Sequence, residues 1–269
     1  MTDDANRGGA RSGPFVVGDQ VLLIDRKRRR HLVRLTADGE FHTHAGVLPH
    51  ASLLGQPEGS TVRTTRNAAL IAIRPTLAEY VLEMPRGAQV IYPKDLGPIL
   101  MLADIFPGAH VLESGVGSGA LTMTLLRAVG AGGSVTGYEI RDDFADRAQR
   151  NVEAYLGPDV PLTVETRDIY EGIEVADVDR IVLDLPEPWQ VVKHAATALR
   201  PGGIMLSYLP TILQVSTLRE TLVDSPFGMA ETIEVLHRGW NVDGQSVRPD
   251  HRMVAHTGFL TVARKLAPE

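Results

Sequence analysis

The segment Val111-Leu112-Glu113-Ser114-Gly115-Val116-Gly117-Ser118-Gly119 is the densest chemical signal in the chain. An apolar strand ends in an acid, three alternating glycines follow, and a helix begins. Glycines permit a tight turn and let a ligand approach the backbone, and the helix N-terminus offers unpaired N–H groups. Further acids stand where later strands end. Glu139 closes Gly137-Tyr138-Glu139, where a carboxylate can accept both hydroxyls of a ribose. Asp168 follows the third strand, where an acid can accept the exocyclic amine of an adenine; its plain structural role would be a turn or helix cap. Asp184 ends an apolar strand and is followed by Leu185-Pro186-Glu187-Pro188-Trp189. The two prolines stiffen the exit and hold an aromatic nearby.

Two cofactors compete for the glycine segment. A dinucleotide site wants G-x-G-x-x-G/A, which Gly115, Gly117 and Ala120 satisfy loosely. The acid-x-G-x-G-x-G pattern of S-adenosylmethionine-dependent methyltransferases is met by Glu113, Gly115, Gly117 and Gly119 without allowance. Charge favours the second reading. A carboxylate is repelled by a pyrophosphate and attracted by the ammonium group of a sulfonium ligand. A nicotinamide-dependent dehydrogenase would also need a Tyr-Lys or His dyad, which the sequence does not place. Amino-methyltransferases of nucleobases carry an Asp/Asn-Pro-Pro-aromatic segment that holds the base's amine and stacks its ring, and Asp184 to Trp189 has that character.

These residues need a scaffold. From residue 98 onward β and α segments alternate. Strands are expected at His110–Glu113, Ser134–Glu139, Leu162–Glu165, Arg180–Leu185 and Ile204–Leu209. Helices are expected at Gly119–Val129, Asp142–Tyr155, Trp189–Leu199 and Ile212–Val223. Glu231–His237 and Thr257–Arg264 form a terminal antiparallel pair. This alternation predicts a mostly parallel sheet with helices on both faces and its ligand at the carboxyl ends of the strands. Before residue 85 the texture differs. Short β segments (Phe15–Ile24, His31–Leu35, Thr61–Thr65, Leu70–Ile73) predict a small barrel or sandwich. The expected organisation is a disordered lead-in over residues 1–13 and a small β-domain over 14–75. A linker helix and substrate-side segment over 76–97 then lead to the α/β domain over 98–269.

The chain has 269 residues, with 27 Lys and Arg against 33 Asp and Glu, a net charge of −6. That excludes a histone-like protein but not a local basic patch. Arg26, Lys27, Arg28, Arg29, Arg30 and Arg34 form such a patch, suited to phosphate contact. Cysteine is absent, which removes disulfides and thiolate zinc sites and suits a reducing cytoplasm. No apolar run reaches the length of a membrane span. His42 and His44 alternate along a strand-like segment without a third ligand at metal spacing, so no metal is expected. No G-x-S-x-G hydrolase elbow is present.

Taken together, Glu113–Gly119, Glu139, Asp168 and Asp184–Trp189 resemble the tRNA (adenine-58-N1)-methyltransferases in their bacterial and archaeal single-subunit form. Gln89–Asp95, Arg238-Gly239-Trp240, and Arg248 through His256–Leu260 match the same family, and Glu40–Gly46 resembles its actinobacterial members. The resemblance implies a Rossmann-like class I methyltransferase domain behind a small N-terminal β-domain. It also implies a homotetramer, S-adenosylmethionine as donor and the T-loop adenine of tRNA as acceptor. Residue by residue, Glu113, Ser114, Gly115, Val116, Gly117, Ser118, Gly119, Ala120 and Leu121 would line the cofactor. Glu139 would hold its ribose, Asp168 its adenine, and Phe144 a further flank. Asp184 would be the catalytic carboxylate and Tyr92 the stacking partner of the target base. Trp189, Arg248, Arg252 and His256 are further RNA-contact candidates. A non-catalytic RNA-binding subunit of the same fold should have lost the glycine motif and the catalytic Asp; both stand here.

Overall fold

The computed structural model describes residues 12–87 and 89–268. The lead-in expected over residues 1–13 falls, up to residue 11, outside the described residues. The chain divides into two units, Met1–Pro85 with Arg150–Val160, and Arg86–Gln149 with Pro161–Glu269.

The first unit is built on β1 (Gln20–Asp25), β2 (Arg30–Arg34), β3 (Glu40–Thr43), β4 (Gly46–Pro49), β5 (Thr61–Arg63), β6 (Ala69–Ile73) and α1 (Leu77–Glu83). The expected barrel or sandwich takes the form of an antiparallel four-stranded sheet, ordered β2-β1-β6-β5, and a separate β3–β4 hairpin. Val21, Leu23, Val62, Leu70 and Ala72 from the sheet bury against Phe15, Leu35, Leu48 and Leu53. The β1–β2 connection is tight because the Asp25 carboxylate accepts from the backbone N–H groups of Lys27 and Arg29 at 2.8 and 2.9 Å. This Asx-type closure drives Arg28 to a positive φ of 62°. Helix α1 starts on a reciprocal cap: Glu79 N–H donates to Thr76 Oγ1 at 3.2 Å, and Thr76 N–H to Glu79 Oε2 at 3.0 Å.

The second unit holds α2 (Pro93–Leu102), β7 (His110–Ser114), α3 (Ala120–Val129), β8 (Ser134–Glu139), α4 (Asp142–Leu156, whose last turns belong to the first unit) and β9 (Leu162–Thr166). It continues with β10 (Val178–Leu183), α5 (Val192–Ala198), β11 (Leu199–Leu209), α6 (Ile212–Val223), β12 (Phe227–Glu234), β13 (Trp240–Asp243), β14 (Ser246–Pro249) and β15 (Phe259–Lys265). Its seven-stranded sheet is ordered β12-β15-β11-β10-β7-β8-β9, with β11 to β9 parallel and the β12 and β15 edge antiparallel. The chain proceeds outward from β7 through β8 and β9, then returns to the other side as β10 and β11. The order therefore reverses between β7 and β10, the place where open α/β sheets leave a crevice for ligand.

Several elements depart from the sequence reading, the β3–β4 hairpin and an earlier start of β11 at Leu199 among them. The helix expected over Trp189–Leu199 splits into a 3₁₀ turn at Pro188–Val191 and α5. Helix α2 escapes a periodicity search because Pro93 opens it and Pro98 lies inside it. The β13–β14 hairpin is exposed along nearly its whole length, so it lacks the alternation that marks a half-buried strand.

Candidate active site

The carboxyl ends of the parallel strands bring the acids together. Glu113, at the end of β7, is fully buried, and Asp184 follows β10 immediately beside it, with Asp184 N–H donating to Ser114 O at 2.9 Å. The turn between β7 and α3 places Gly115, Gly117 and Gly119 at φ of 86°, 57° and 85°, a region costly for residues with a Cβ. At Gly115 space forbids one too: a Cβ would sit 2.1 Å from the Asp184 carbonyl oxygen. The motif's first glycine is thus fixed by the neighbouring strand as well as by the turn. Val116, Ser118, Ala120 and Leu121 are buried around this turn, and Gly119 caps α3.

Glu139, at the end of β8, accepts from Gly117 N–H at 2.9 Å through one oxygen and from Arg141 N–H at 3.1 Å through the other. Each oxygen keeps a free lone pair. Glu113 has weaker support: the Thr122 hydroxyl and backbone N–H face it and act to lower its pKa, but neither carboxylate oxygen nor the buried Thr122 hydroxyl completes a hydrogen bond. Burial, with repulsion from Asp184 and Glu139 added, pushes the Glu113 carboxyl up to about 8. Asp184, crowded by protein but open on one side, is pushed up to about 7 by burial and by Glu139. A buried polar group without a partner is expensive. A cluster of three acids in which Glu113 completes no hydrogen bond has the chemistry to accept a cation and hydroxyl groups.

The remaining candidates are placed as follows. Asp168 uses one oxygen to accept from Tyr170 N–H at 2.9 Å, closing a turn. Phe144 on α4 is buried beneath two guanidinium groups, Arg141 at 4.1 Å and Arg147 at 5.5 Å from its ring centroid. Gly87 donates to Ser118 Oγ at 3.4 Å, and a Cβ there would lie 3.3 Å from the Phe144 ring. Tyr92 caps α2. The exit from Asp184 is pinned, with Glu187 N–H donating to the Tyr170 hydroxyl at 3.2 Å and Gln214 Nε2 to Pro186 O at 2.9 Å. Trp189 packs partly buried against the hydrophobic cluster of the sheet. His256 directs one ring nitrogen to Glu234 Oε1 at 2.7 Å and the other to Pro210 O at 2.8 Å. Facing two acceptors favours the doubly protonated ring, and its pKa is raised, chiefly by Glu234. Arg248 lies on exposed β14 in contact with His251, and Arg252 is exposed in the segment that follows. In the other unit, Arg26 to Arg30 all lie exposed around the β1–β2 turn.

Sequence reasoning missed a polar assembly beside this site. Asp95 on α2 is fully buried; Lys94 Nζ reaches it at 2.8 Å and Thr257 Oγ1 at 2.6 Å. Tyr208 donates its hydroxyl to Thr257 O at 2.6 Å. Burial pushes that hydroxyl up to about 12, and Asp95, Asp184 and Tyr92 are all near enough to add to the shift. Tyr208 sits at the carboxyl end of β11, the same edge rule that finds Glu139 and Asp184. Asp95 gave no such signal, because nothing in the sequence marks α2 as a helix.

Whether the site fits S-adenosylmethionine is tested by the orphaned carboxylate. The donor carries an ammonium group, a sulfonium and a ribose diol. Glu113 and Glu139 match cation and diol, whereas a pyrophosphate would meet three acids. Fold and site together define a class I S-adenosylmethionine-dependent methyltransferase. Comparison with known proteins narrows the class. A family model described as "tRNA methyltransferase complex GCD14 subunit" matches residues 69–248, and one described as "TrmI-like N-terminal" matches residues 13–62. The tRNA (adenine(58)-N(1))-methyltransferase TrmI of Thermus thermophilus is 41% identical over 91% of this chain and 96% of its own. The TrmI of Methanocaldococcus jannaschii, which carries an adenine-57/adenine-58 name, is 34% identical over 90% and 94%. Among solved structures, the Aquifex aeolicus tRNA (m1A58) methyltransferase TrmI superposes with a TM-score of 0.81 at 30% identity, covering 95% of this chain and all of its own. A Thermotoga maritima protein described as a SAM-dependent O-methyltransferase superposes at 0.90 with 35% identity, covering 95% and 96%. The chain belongs to the tRNA (adenine-58-N1)-methyltransferase family.

Proposed function

We propose that this protein transfers the methyl group of S-adenosylmethionine to N1 of adenine 58 in the T-loop of tRNA. The observation that carries this reading is Asp184. It stands at the switch point of the sheet, against the cofactor turn, with its carboxyl held near neutrality by burial and Glu139.

When bound, S-adenosylmethionine would supply an electrophilic methyl group for the adenine N1 lone pair, and the methylated ring would carry a positive charge. Asp184 accepts from the adenine N6 amine, which raises N1 nucleophilicity and stabilises the developing positive charge. Cationic neighbours draw the Asp184 proton away, so the group is ionised when its charge is needed. Glu113 and the glycine turn would seat the amino-acid end of the donor, and Glu139 would hold its ribose. Asp168 would bind its adenine, and Phe144 would occupy a further cofactor-lining position. Tyr92 stacks on the target base, which must leave the T-loop stack at a cost of a few kcal/mol.

Three finer points belong to the same reading. The segment 14–75 handles the tRNA body and 98–269 the chemistry, with 76–97 between them on the substrate side. Arg26–Arg30, with Trp189, Arg248, Arg252 and His256, supply RNA contacts. The working form is a homotetramer in the cytoplasm, where tRNA is. Its support is the exposed apolar surface around β13 and β14, where Trp240, Val242 and Val247 are 59%, 70% and 59% exposed. Among the described residues no helix is long and apolar enough to cross a membrane, and no group of His, Asp and Glu is arranged to hold a metal ion.

Incubation with unmodified tRNA and S-adenosylmethionine, followed by nucleoside mass spectrometry, tests the function. 1-Methyladenosine is the expected product. An O-methylated nucleoside in its place would move the protein to the O-methyl transfer named for the Thermotoga structure.

A further inference from the structure

The N-terminal unit contains a cavity of about 370 Å³ that the methyl-transfer chemistry does not use. The β1–β2 turn, the β3–β4 hairpin and the β5–β6 turn form its walls. Its volume falls within the range of small-ligand pockets. Its floor is aromatic and apolar, with the His31 and Phe41 rings 5.1 Å apart at 47° and Leu70 beside them. Its rim is cationic. Arg26 and Lys27 line it and form no ion pair among the described residues. The one acid in the lining, Asp25, is already occupied by two backbone N–H groups and by Arg29 Nε at 2.7 Å. The walls are pinned to each other. Val47 N–H donates to Thr65 Oγ1 at 3.0 Å, Thr64 Oγ1 to Ala45 O at 2.5 Å, and Arg66 Nη1 to His44 O at 3.2 Å. Arg63 donates to Asn67 Oδ1 at 3.1 Å, which leaves the Asn67 amide donors without a partner among the described residues.

A rigid pocket with a stacking floor, free amide donors and free cations at its mouth has the chemistry of a nucleotide site. Rings accept a planar base sequence-tolerantly, and cations at the rim accept its phosphate. We propose that this cavity binds one unpaired nucleotide of the tRNA, distinct from the adenine that is methylated, and so holds the RNA while the C-terminal unit does the chemistry. The inference rests on tRNA being the substrate.

The test uses the full chain and an unmodified tRNA transcript. Phe41→Leu keeps apolar bulk but removes the ring, and tRNA affinity is expected to fall about five- to tenfold, with S-adenosylmethionine affinity unchanged. Phe41→Tyr should restore it. Arg26→Ala with Lys27→Ala, both on exposed positions, should lower the slope of log affinity against log salt by about 1.5 to 2. At saturating tRNA, kcat should stay near wild type while KM rises. A scan of abasic substitutions through the unpaired nucleotides should find one position whose loss costs as much as Phe41→Leu and adds nothing to it. Wild-type turnover of the same transcript separates failure of the substrate assignment from failure of this one. Wild-type affinity in all variants would overturn the proposal and leave the cavity to a ligand other than RNA. A loss that no abasic position matches would overturn it in favour of phosphate contact alone.

Discussion

In the C-terminal unit Glu113, Glu139 and Asp184 cluster at the carboxyl edge of the sheet, and neither Glu113 oxygen completes a hydrogen bond. In the N-terminal unit five consecutive cations surround a single turn, yet all are exposed and two are already paired, Arg29 with Asp25 and Arg30 with Glu79. Buried carboxylates resist ionising until a counter-cation arrives; exposed like charges are screened and shed ions into solvent. The first arrangement suits tight capture of one small cationic donor. The second suits graded, salt-sensitive hold on a long polyanion. Charge of one sign at high density therefore means different things according to whether water can reach it.

The hardest blow to the acidic crevice is Asp184→Ala. On the mechanism proposed above Asp184 offsets the developing ring charge, and its removal should slow single-turnover methylation by about 10²- to 10³-fold. Folding and tRNA binding should persist. A single-turnover rate within tenfold of wild type would take the catalytic role away from Asp184. Next in size is Glu139→Ala: with Glu139 as the proposed acceptor of the ribose hydroxyls, its loss should weaken S-adenosylmethionine about 10- to 100-fold by calorimetry, or ~1.5–3 kcal/mol. Glu139 also accepts from Gly117 and Arg141 N–H, so Glu139→Gln, which keeps an acceptor, should recover part of the loss. Equal damage from both substitutions would assign Glu139 to holding the turn instead.

These residues were legible because the sheet's period and the glycine punctuation place them. Each lies where an apolar strand stops, and the edge rule for α/β sheets then gives the ligand's position. What the sequence hid has particular causes. Helix α2 was masked by Pro93 and Pro98, and with it went the buried Asp95 pair to Lys94 and Thr257. The β3–β4 hairpin is short and half-exposed, so the basic run read as a bare strip of charge rather than one rim of a cavity. Pairing is long-range or side-chain specific, and neither Asp25 nor Glu79 announces in sequence which arginine it will neutralise.

The acidic crevice also sets a pH dependence that the N-terminal cations do not. In the ligand-free fold Glu113 holds its proton up to about 8 and Asp184 up to about 7, against ordinary values of 4.5 and 3.8. The folded chain therefore binds more protons than the unfolded chain across that interval, and its stability falls as pH rises from about 5 to 8. His256, raised by Glu234 and Pro210 O, pulls in the same direction, so the measurement is best made on His256→Gln. Denaturant midpoints at a series of pH values should decline across the window, and saturating S-adenosylmethionine should flatten the decline because a bound cation favours the ionised acids. Affinity for the donor should rise over the same interval. A flat ligand-free profile would mean that the acids are ionised without it, and the orphaned-carboxylate argument for the donor's seat would fail.

The smallest effect separates the arginines of the basic turn from one another. Read as sequence, Arg28, Arg29 and Arg30 are equivalent phosphate contacts, and neutralising all three should weaken tRNA binding and reduce its salt slope. In the fold they are not equivalent. Arg28 stands at the tip of the turn at φ 62° and forms no ion pair among the described residues. Arg29 is tied to Asp25 at 2.7 Å, and Arg30 faces Glu79 at 3.7 Å. A paired cation must give up its carboxylate before it takes a phosphate, and exposed pairs are worth about 0–1 kcal/mol. Arg28→Gln should therefore cost about two- to fourfold in tRNA affinity at physiological salt, and Arg29→Gln or Arg30→Gln less than that. Raising the salt erodes ion pairs and phosphate contacts together, so the ranking should narrow towards equality. Glu79→Gln, which frees Arg30, should make the Arg30→Gln penalty grow towards that of Arg28→Gln. Three equal penalties at low salt would show that tRNA displaces the intramolecular carboxylates at no cost, and the distinction between paired and unpaired cations in this unit would have no consequence for binding.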